Sequence, residues 1–155
     1  MPYEFKITRQ VEFYETDMAG IVHFANFFRY MEAAEHAFYR SLGFSVHTQL
    51  GDRTIGWPRL RADCRFSHPL RLEDTVEVHL LVREVARKTI TYDFILRKMN
   101  ADPPVESARG SITIISITRD GPGGEMKSVP LPEEVVSRIE AAPKELLEKA
   151  LGNNG

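Results

Sequence analysis

Apolar and polar residues alternate from the start of the chain. Tyr3, Phe5 and Ile7 take turns with Glu4, Lys6 and Thr8, and Val11 and Phe13 keep the odd phase. A period of two predicts a strand, here running as far as Phe13. From Phe24 the period lengthens: Phe24, Phe27, Phe28, Met31, Ala34, Phe38 and Leu42 fall on one helical stripe. Arg29, Glu32, His36 and Arg40 populate the other side. Glu35 breaks the pattern, because it lies four residues after Met31 and so inside the stripe. A carboxylate there is expected to reach water or a basic side chain. Gly43 suits the left-handed position that closes a helix. The stretch from Phe44 to Pro58 reads as loop with a short helical turn.

Alternation returns with Leu60, Ala62, Cys64 and Phe66, whose shared phase puts Cys64 in the core. It resumes with Val76, Val78, Leu80 and Val82, then with Ile90, Tyr92, Phe94 and Leu96. Residues 84–88, 100–104 and 120–124 read as turns. Ser111 to Thr118 is apolar on both phases, which predicts a central strand covered on both sides. Pro132 followed by Glu133 and Glu134 marks a helix start, with Pro at the first helical position. Val135, Val136, Ile139, Leu146, Leu147 and Ala150 extend it as a C-terminal helix kinked or split at Pro143. The tail from Leu151 to Gly155 is expected to fray. One long helix followed by a strand meander is an α+β pattern: a curved antiparallel five-stranded sheet around the aromatic helix. Its exposed edges invite oligomerisation.

Length and composition narrow the class. At 155 residues the chain reads as a single domain, 1–155, with room for one core. A net charge of −2 lacks the basic footprint of a nucleic-acid binder. No apolar run is long enough for membrane insertion, and the first residues lack the pattern of a signal peptide. With the single Cys64 unable to form an internal disulfide, the expected location is cytoplasmic. No Gly-x-Ser-x-Gly elbow is present, and the five histidines show no metal-ligand spacing.

The candidate chemistry lies between the first strand and the helix. The run Tyr14-Glu15-Thr16-Asp17-Met18-Ala19-Gly20-Ile21-Val22-His23-Phe24-Ala25-Asn26-Phe27 puts Asp17 at the end of a strand, just ahead of a helix N-terminus. A carboxylate can act there as nucleophile or base, and free N–H groups of the first helical turn can hold an oxyanion. Asp17 also suits a plain turn or helix cap, and Asn26 a plain N-terminal polar position.

This run resembles the signature of hotdog-fold acyl-CoA thioesterases, of the 4-hydroxybenzoyl-CoA thioesterase type. Further matches are Arg65-Phe66, Leu72-Glu73-Asp74-Thr75-Val76, Arg87-Lys88-Thr89 and Ala108-Arg109-Gly110, in family order. The resemblance implies a hotdog fold and hydrolysis of an acyl-CoA thioester with no metal or redox cofactor. It makes Asp17 the essential carboxylate and the backbone N–H of Phe24 the oxyanion donor. Gly20 lets the loop approach the substrate, and Asn26 caps the helix or pins the loop across the dimer. Trp57 lines the acyl pocket or serves packing alone. Arg87, Lys88 and Thr89 meet the coenzyme A phosphates, joined by Arg109 from the adjacent strand; Arg87 and Lys88 otherwise form an ordinary solvated turn. Many family members carry Tyr-His where this chain has His23-Phe24, so His23 contacts the thioester or the opposite subunit, or stays at the surface. The family pairs its protomers, so a homo-oligomer is expected, a dimer or a homotetramer built as a dimer of dimers. The acyl group, aromatic or short- to medium-chain aliphatic, stays open, as does delivery on coenzyme A or an acyl carrier protein. A non-catalytic acyl-CoA-binding module on the same fold is the alternative.

Overall fold

The computed structural model describes residues 2–119 and 121–152. The first strand, β1, spans Glu4–Gln10, and a single 3-10 turn follows at Phe13–Glu15. Helix α1 spans Ala25–Ser41. Then come β2 (Thr48–Leu50), β3 (Arg53–Gly56), β4 (Arg59–Phe66), β5 (Thr75–Val85), β6 (Thr89–Lys98), β7 (Val105–Ile115), β8 (Ile117–Arg119) and β9 (Met126–Ser128). Two short helices close the chain, α2 at Glu133–Val136 and α3 at Lys144–Leu151.

Five strands form one antiparallel sheet in the order β1-β5-β6-β7-β4. Its inner face carries Val76, Val78, Leu80 and Val82 of β5 and Ile90, Tyr92, Phe94 and Leu96 of β6, all buried against α1. The helix answers with Phe27, Tyr30, Met31, Ala34, Phe38 and Tyr39. Gly110 on β7 is required by this contact: a Cβ there would stand 2.5 Å from the Asp63 carbonyl oxygen and run into Met31. The α+β architecture, a five-stranded sheet packed on one long helix, is the one expected of a hotdog fold. The outer face is covered in part by α3, whose Leu146, Leu147 and Ala150 pack on Leu81 and Ile95. No described helix is long and apolar enough to cross a membrane.

Several expectations need correction. Residues 44–58 hold a β-hairpin, β2 and β3, which joins β8 and β9 in a second, four-stranded sheet. These strands have three or four residues each, too short to show a period. The strand expected over 111–118 begins at Val105 and breaks at Ser116, where the chain passes from the first sheet to the second. Leu60 and Phe66 do not enter the core; they are 60% and 51% exposed. They belong to β4, an edge strand with a neighbour on one side only. Cys64 on the same phase is half-buried against the core, and burial pushes its thiol up to about 11. Pro132 is the cap of α2 and not its first helical residue. The expected helix is in two pieces: α2 ends at Val136, residues 137–143 including Ile139 are not α-helical, and α3 starts directly after Pro143. Gly43 closes α1 with φ +90°. Of the turn expected at 120–124, Asp120 lies outside the described residues, as do residues 153–155 of the tail.

Candidate active site

The first strand ends at Gln10, and Asp17 sits in a loop. The cause is local. Glu12 N–H donates to Glu15 Oε1 at 2.8 Å and Glu15 N–H to the Glu12 carbonyl at 3.0 Å, which bends the chain into the 3-10 turn. Phe13, expected on the strand's buried phase, is therefore 78% exposed. After the turn, Thr16 bridges Val22, and Asp17 N–H donates to the Ile21 carbonyl at 2.9 Å. Gly20 N–H closes back on the Asp17 carbonyl at 2.9 Å. Gly20 has φ +78° with open space around it, so it is needed for backbone conformation and not for close packing.

Asp17 is half-buried, and its Oδ1 accepts the Ala19 N–H at 2.8 Å. Among the described residues no cation pairs with it, so Oδ2 stays available. Beside it begins α1. Ala25 N–H donates to His23 Nδ1 at 3.2 Å, Asn26 N–H to the His23 carbonyl at 2.9 Å and Phe27 N–H to the Phe24 carbonyl at 3.2 Å. The Phe24 N–H has no acceptor among the described residues. A helix N-terminus with one unengaged donor is suited to a developing negative charge.

Asp17 and Phe24 line one cleft of about 560 Å³. Its walls are mostly apolar, from Ile21, Val22, Phe27, Phe66 and Pro69, with Ser67 and His68 at one side. Phe66 packs edge-on against Phe27 at 5.0 Å between ring centres. Val22 N–H donates to the Leu70 carbonyl at 2.8 Å, tying the Asp17 loop to the segment after β4. Residues 67–69 were not expected at the site. They reach it only because β4 ends there, which no local pattern reveals.

The other candidates divide into three groups. His23 and Asn26 frame the cleft without lining it. His23 is exposed, lies one residue before the Phe24 cap of α1, accepts the Ala25 N–H, and sets its ring tilted against Phe24 at 4.7 Å between ring centres. Asn26 Nδ2 donates to the Glu15 carbonyl at 2.8 Å, so it pins the loop within its own chain and not, as expected, across a dimer. Trp57 lies elsewhere in this protomer. It packs on Tyr39 at 5.9 Å and borders a separate cavity of about 310 Å³ with Glu32, Glu35, His36 and Arg59. Arg109 sits in a polar recess with Arg65 that shares Phe66 and Ser67 with the cleft; Glu106 and the Leu151 carbonyl hold its guanidinium.

Arg87, Lys88 and Thr89 occupy the β5–β6 turn, where Lys88 Nζ donates to Ser128 Oγ at 3.0 Å. Register puts them far from Asp17. Phe66 pairs with Ala108 and Ala108 with Leu96, whereas Thr89 pairs with Ile115. Leu96 to Thr89 is seven steps (96 − 89), about 23 Å along a strand. Within one protomer this basic turn stands at the opposite end of the sheet from the cleft. Among the described residues, no three His, Cys, Asp or Glu side chains are grouped to hold a metal ion.

Comparison with known proteins assigns the class. Residues 11–139 match the family model of the thioesterase-like superfamily. A curated Aquifex aeolicus protein is 42% identical over 98 residues, 63% of this chain and 74% of its own. The acyl-CoA thioesterase YbgC of Haemophilus influenzae is 24% identical over 131 residues, 84% of this chain and 90% of its own. The solved structure of BH1999 gentisyl-coenzyme A thioesterase superposes with a TM-score of 0.72 at 27% identity, over 87% of this chain and 99% of that one. The chain belongs to the thioesterase-like superfamily and is a thioester hydrolase with the hotdog fold.

Proposed function

We propose that this protein hydrolyses acyl-coenzyme A thioesters with aromatic or short- to medium-chain acyl groups, giving the free acid and coenzyme A. The observation that carries the reading is the meeting, on one apolar cleft, of an Asp17 carboxylate and a Phe24 N–H that, among the described residues, have no cation and no acceptor respectively. The named activities of the Haemophilus influenzae and gentisyl-coenzyme A relatives support the substrate class.

In this reading the thioester oxygen faces the Phe24 N–H. Asp17 Oδ2 either attacks the carbonyl carbon to form a mixed anhydride or takes a proton from an attacking water. On both routes the carbonyl electron pair moves onto oxygen, where the helix N-terminus stabilises it. The pair returns, the carbon–sulfur bond breaks, and coenzyme A leaves as thiolate and takes up a proton. One water is consumed: on the direct route its oxygen ends in the acid product, and on the anhydride route it cleaves the anhydride and its oxygen ends in the acid or in Asp17 according to which carbonyl it attacks. His23 and Asn26 hold the helix start in place, and Gly20 shapes the loop.

Two copies pair through the β4 edge, where Leu60 and Phe66 stand exposed. Antiparallel pairing along that edge brings the partner's sheet round so that its basic β5–β6 turn reaches this copy's end of the cleft. Arg87, Lys88 and Thr89 then meet phosphates of a substrate bound by the other protomer, and Arg109 contributes from its recess.

The test is thiol release from acetyl-, hexanoyl-, benzoyl- and 4-hydroxybenzoyl-CoA and from an acyl carrier protein thioester. Wild type is expected to turn over at least one, and Asp17→Asn to lose about a hundredfold or more in kcat, the scale of a positioned acid–base group. Binding of all five without thiol release by wild type would leave a non-catalytic binding module in its place.

A further inference from the structure

We propose that Glu15 is the positioning residue of the catalytic loop, holding Asp17 and the Phe24 N–H in register through its carboxylate and its own carbonyl; this rests on the reading of Asp17 given above. Glu15 is a buried acid that the reaction does not consume, with 4% of its surface exposed. Its Oε1 accepts Glu12 N–H at 2.8 Å and the Tyr30 hydroxyl at 3.0 Å. Its Oε2 lies 3.7 Å from Arg9, whose guanidinium also stacks over the Tyr30 ring at 5.3 Å. Its carbonyl accepts both Asn26 Nδ2 at 2.8 Å and His23 N–H at 2.9 Å.

One residue therefore receives two side chains from the first two turns of α1, Asn26 on its backbone and Tyr30 on its carboxylate. Two residues later comes Asp17. One residue after His23 comes Phe24, whose N–H is the free donor. The spacing between carboxylate and donor is set through Glu15. Burial, reinforced by the Glu15 contact, pushes the Tyr30 hydroxyl well above its ordinary value, so Tyr30 remains a donor over any working pH. A positioning link of this kind acts on turnover, because small displacements from an attack geometry are costly in rate. A direct substrate contact would act on KM instead.

The experiment uses full-length Glu15→Ala and Tyr30→Phe and the fastest of the five thioesters named above. Glu15→Ala is expected to lose about ten- to a hundredfold in kcat and Tyr30→Phe about threefold to tenfold, with KM within about twofold. Glu15→Ala added to Asp17→Asn is expected to cost no further rate, since it acts through Asp17. Amide exchange reads the same device without substrate: the Asp17, Val22 and His23 amides should exchange faster in Glu15→Ala while those of β5 and β6 keep their protection. The proposal is overturned if folded Glu15→Ala keeps wild-type kcat, if its loss carries over in full into Asp17→Asn, or if exchange in the loop is unchanged. A wild type that releases no thiol but shows the exchange change would sink the hydrolytic reading and keep the loop anchor.

Discussion

Asp17 and Glu35 stand at two places along helix α1, and the contrast between them separates chemistry from architecture. At its N-terminus, Asp17 is half-buried, accepts one backbone N–H, and faces an apolar cleft. In its middle, Glu35 is 1% exposed, and Arg59 donates to its Oε2 at 2.8 Å. Burial pushes the Glu35 carboxyl up, and the Arg59 hydrogen bond and charge pull it back down. Beneath the pair, Tyr92 donates to the Tyr39 hydroxyl at 2.9 Å, completing a buried polar layer between helix and sheet. Asp17 is free to react because, among the described residues, no cation holds it. Glu35 is held because the core around it could not tolerate a bare charge. An acidic residue within a helix's apolar stripe is thus a structural feature here, and one just ahead of the helix is the reactive candidate.

The contrast can be broken most sharply with paired substitutions. Asp17→Asn should cost about a hundredfold or more in kcat and leave the denaturant midpoint within experimental error of wild type. Arg59→Ala should do the reverse. It strands the Glu35 carboxylate and should cost roughly 2–3 kcal/mol in urea unfolding, while kcat of the folded protein falls less than about threefold. If Arg59→Ala abolishes turnover and spares stability, the division of labour along α1 is wrong.

Smaller effects sharpen it. In a paired assembly, Arg87→Ala and Lys88→Ala should each raise KM for acyl-CoA by about threefold to tenfold with kcat unchanged, as expected for contacts remote from the reacting carbon. The same variants assayed with a thioester of pantetheine alone should match wild type. The smallest effect lies on the outer face of the sheet, far from both carboxylates. There His79 Nε2 meets Glu4 at 2.7 Å and its Nδ1 faces an Arg97 donor at 3.2 Å, with Lys6 nearby and Glu77 bound to Arg97. Burial lowers its pKa below the ordinary 6.5 and outweighs the opposing Glu4 contact. The unfolded chain then binds the proton more readily than the folded one. Stability should be full above about pH 6.5 and decline as pH falls from there through the folded-state value. A series of thermal melts between pH 7.5 and 5 would detect it, and His79→Gln should flatten that part of the slope.

Much of this was legible in the chain because the signals were strong and local. The period-two runs of β1, β5 and β6 and the aromatic stripe of α1 repeat over seven or more residues, and each shows which residues belong to the core between sheet and helix. The Asp17-to-Phe24 run carries its own turn chemistry through Gly20. Other features left little trace. The strands β2, β3, β8 and β9 are too short for a period, and the reciprocal Glu12–Glu15 contact bends a chain whose apolar alternation continues to Phe13. Leu60 and Phe66 alternate like core residues yet stand exposed, because alternation reports a face and not what covers it.

By itself, the sequence determined the long strands and the long helix, and it placed Asp17 between the first strand and that helix's first turn. These depend on backbone geometry and side-chain periodicity, which act between near neighbours. Tertiary structure alone decided that residues 66–69 wall the cleft, that Arg59 crosses to Glu35, and that the Arg87–Thr89 turn lies at the far end of the sheet. Each of those depends on strand order and register, and register is set by how the whole sheet packs on the helix, not by any one segment.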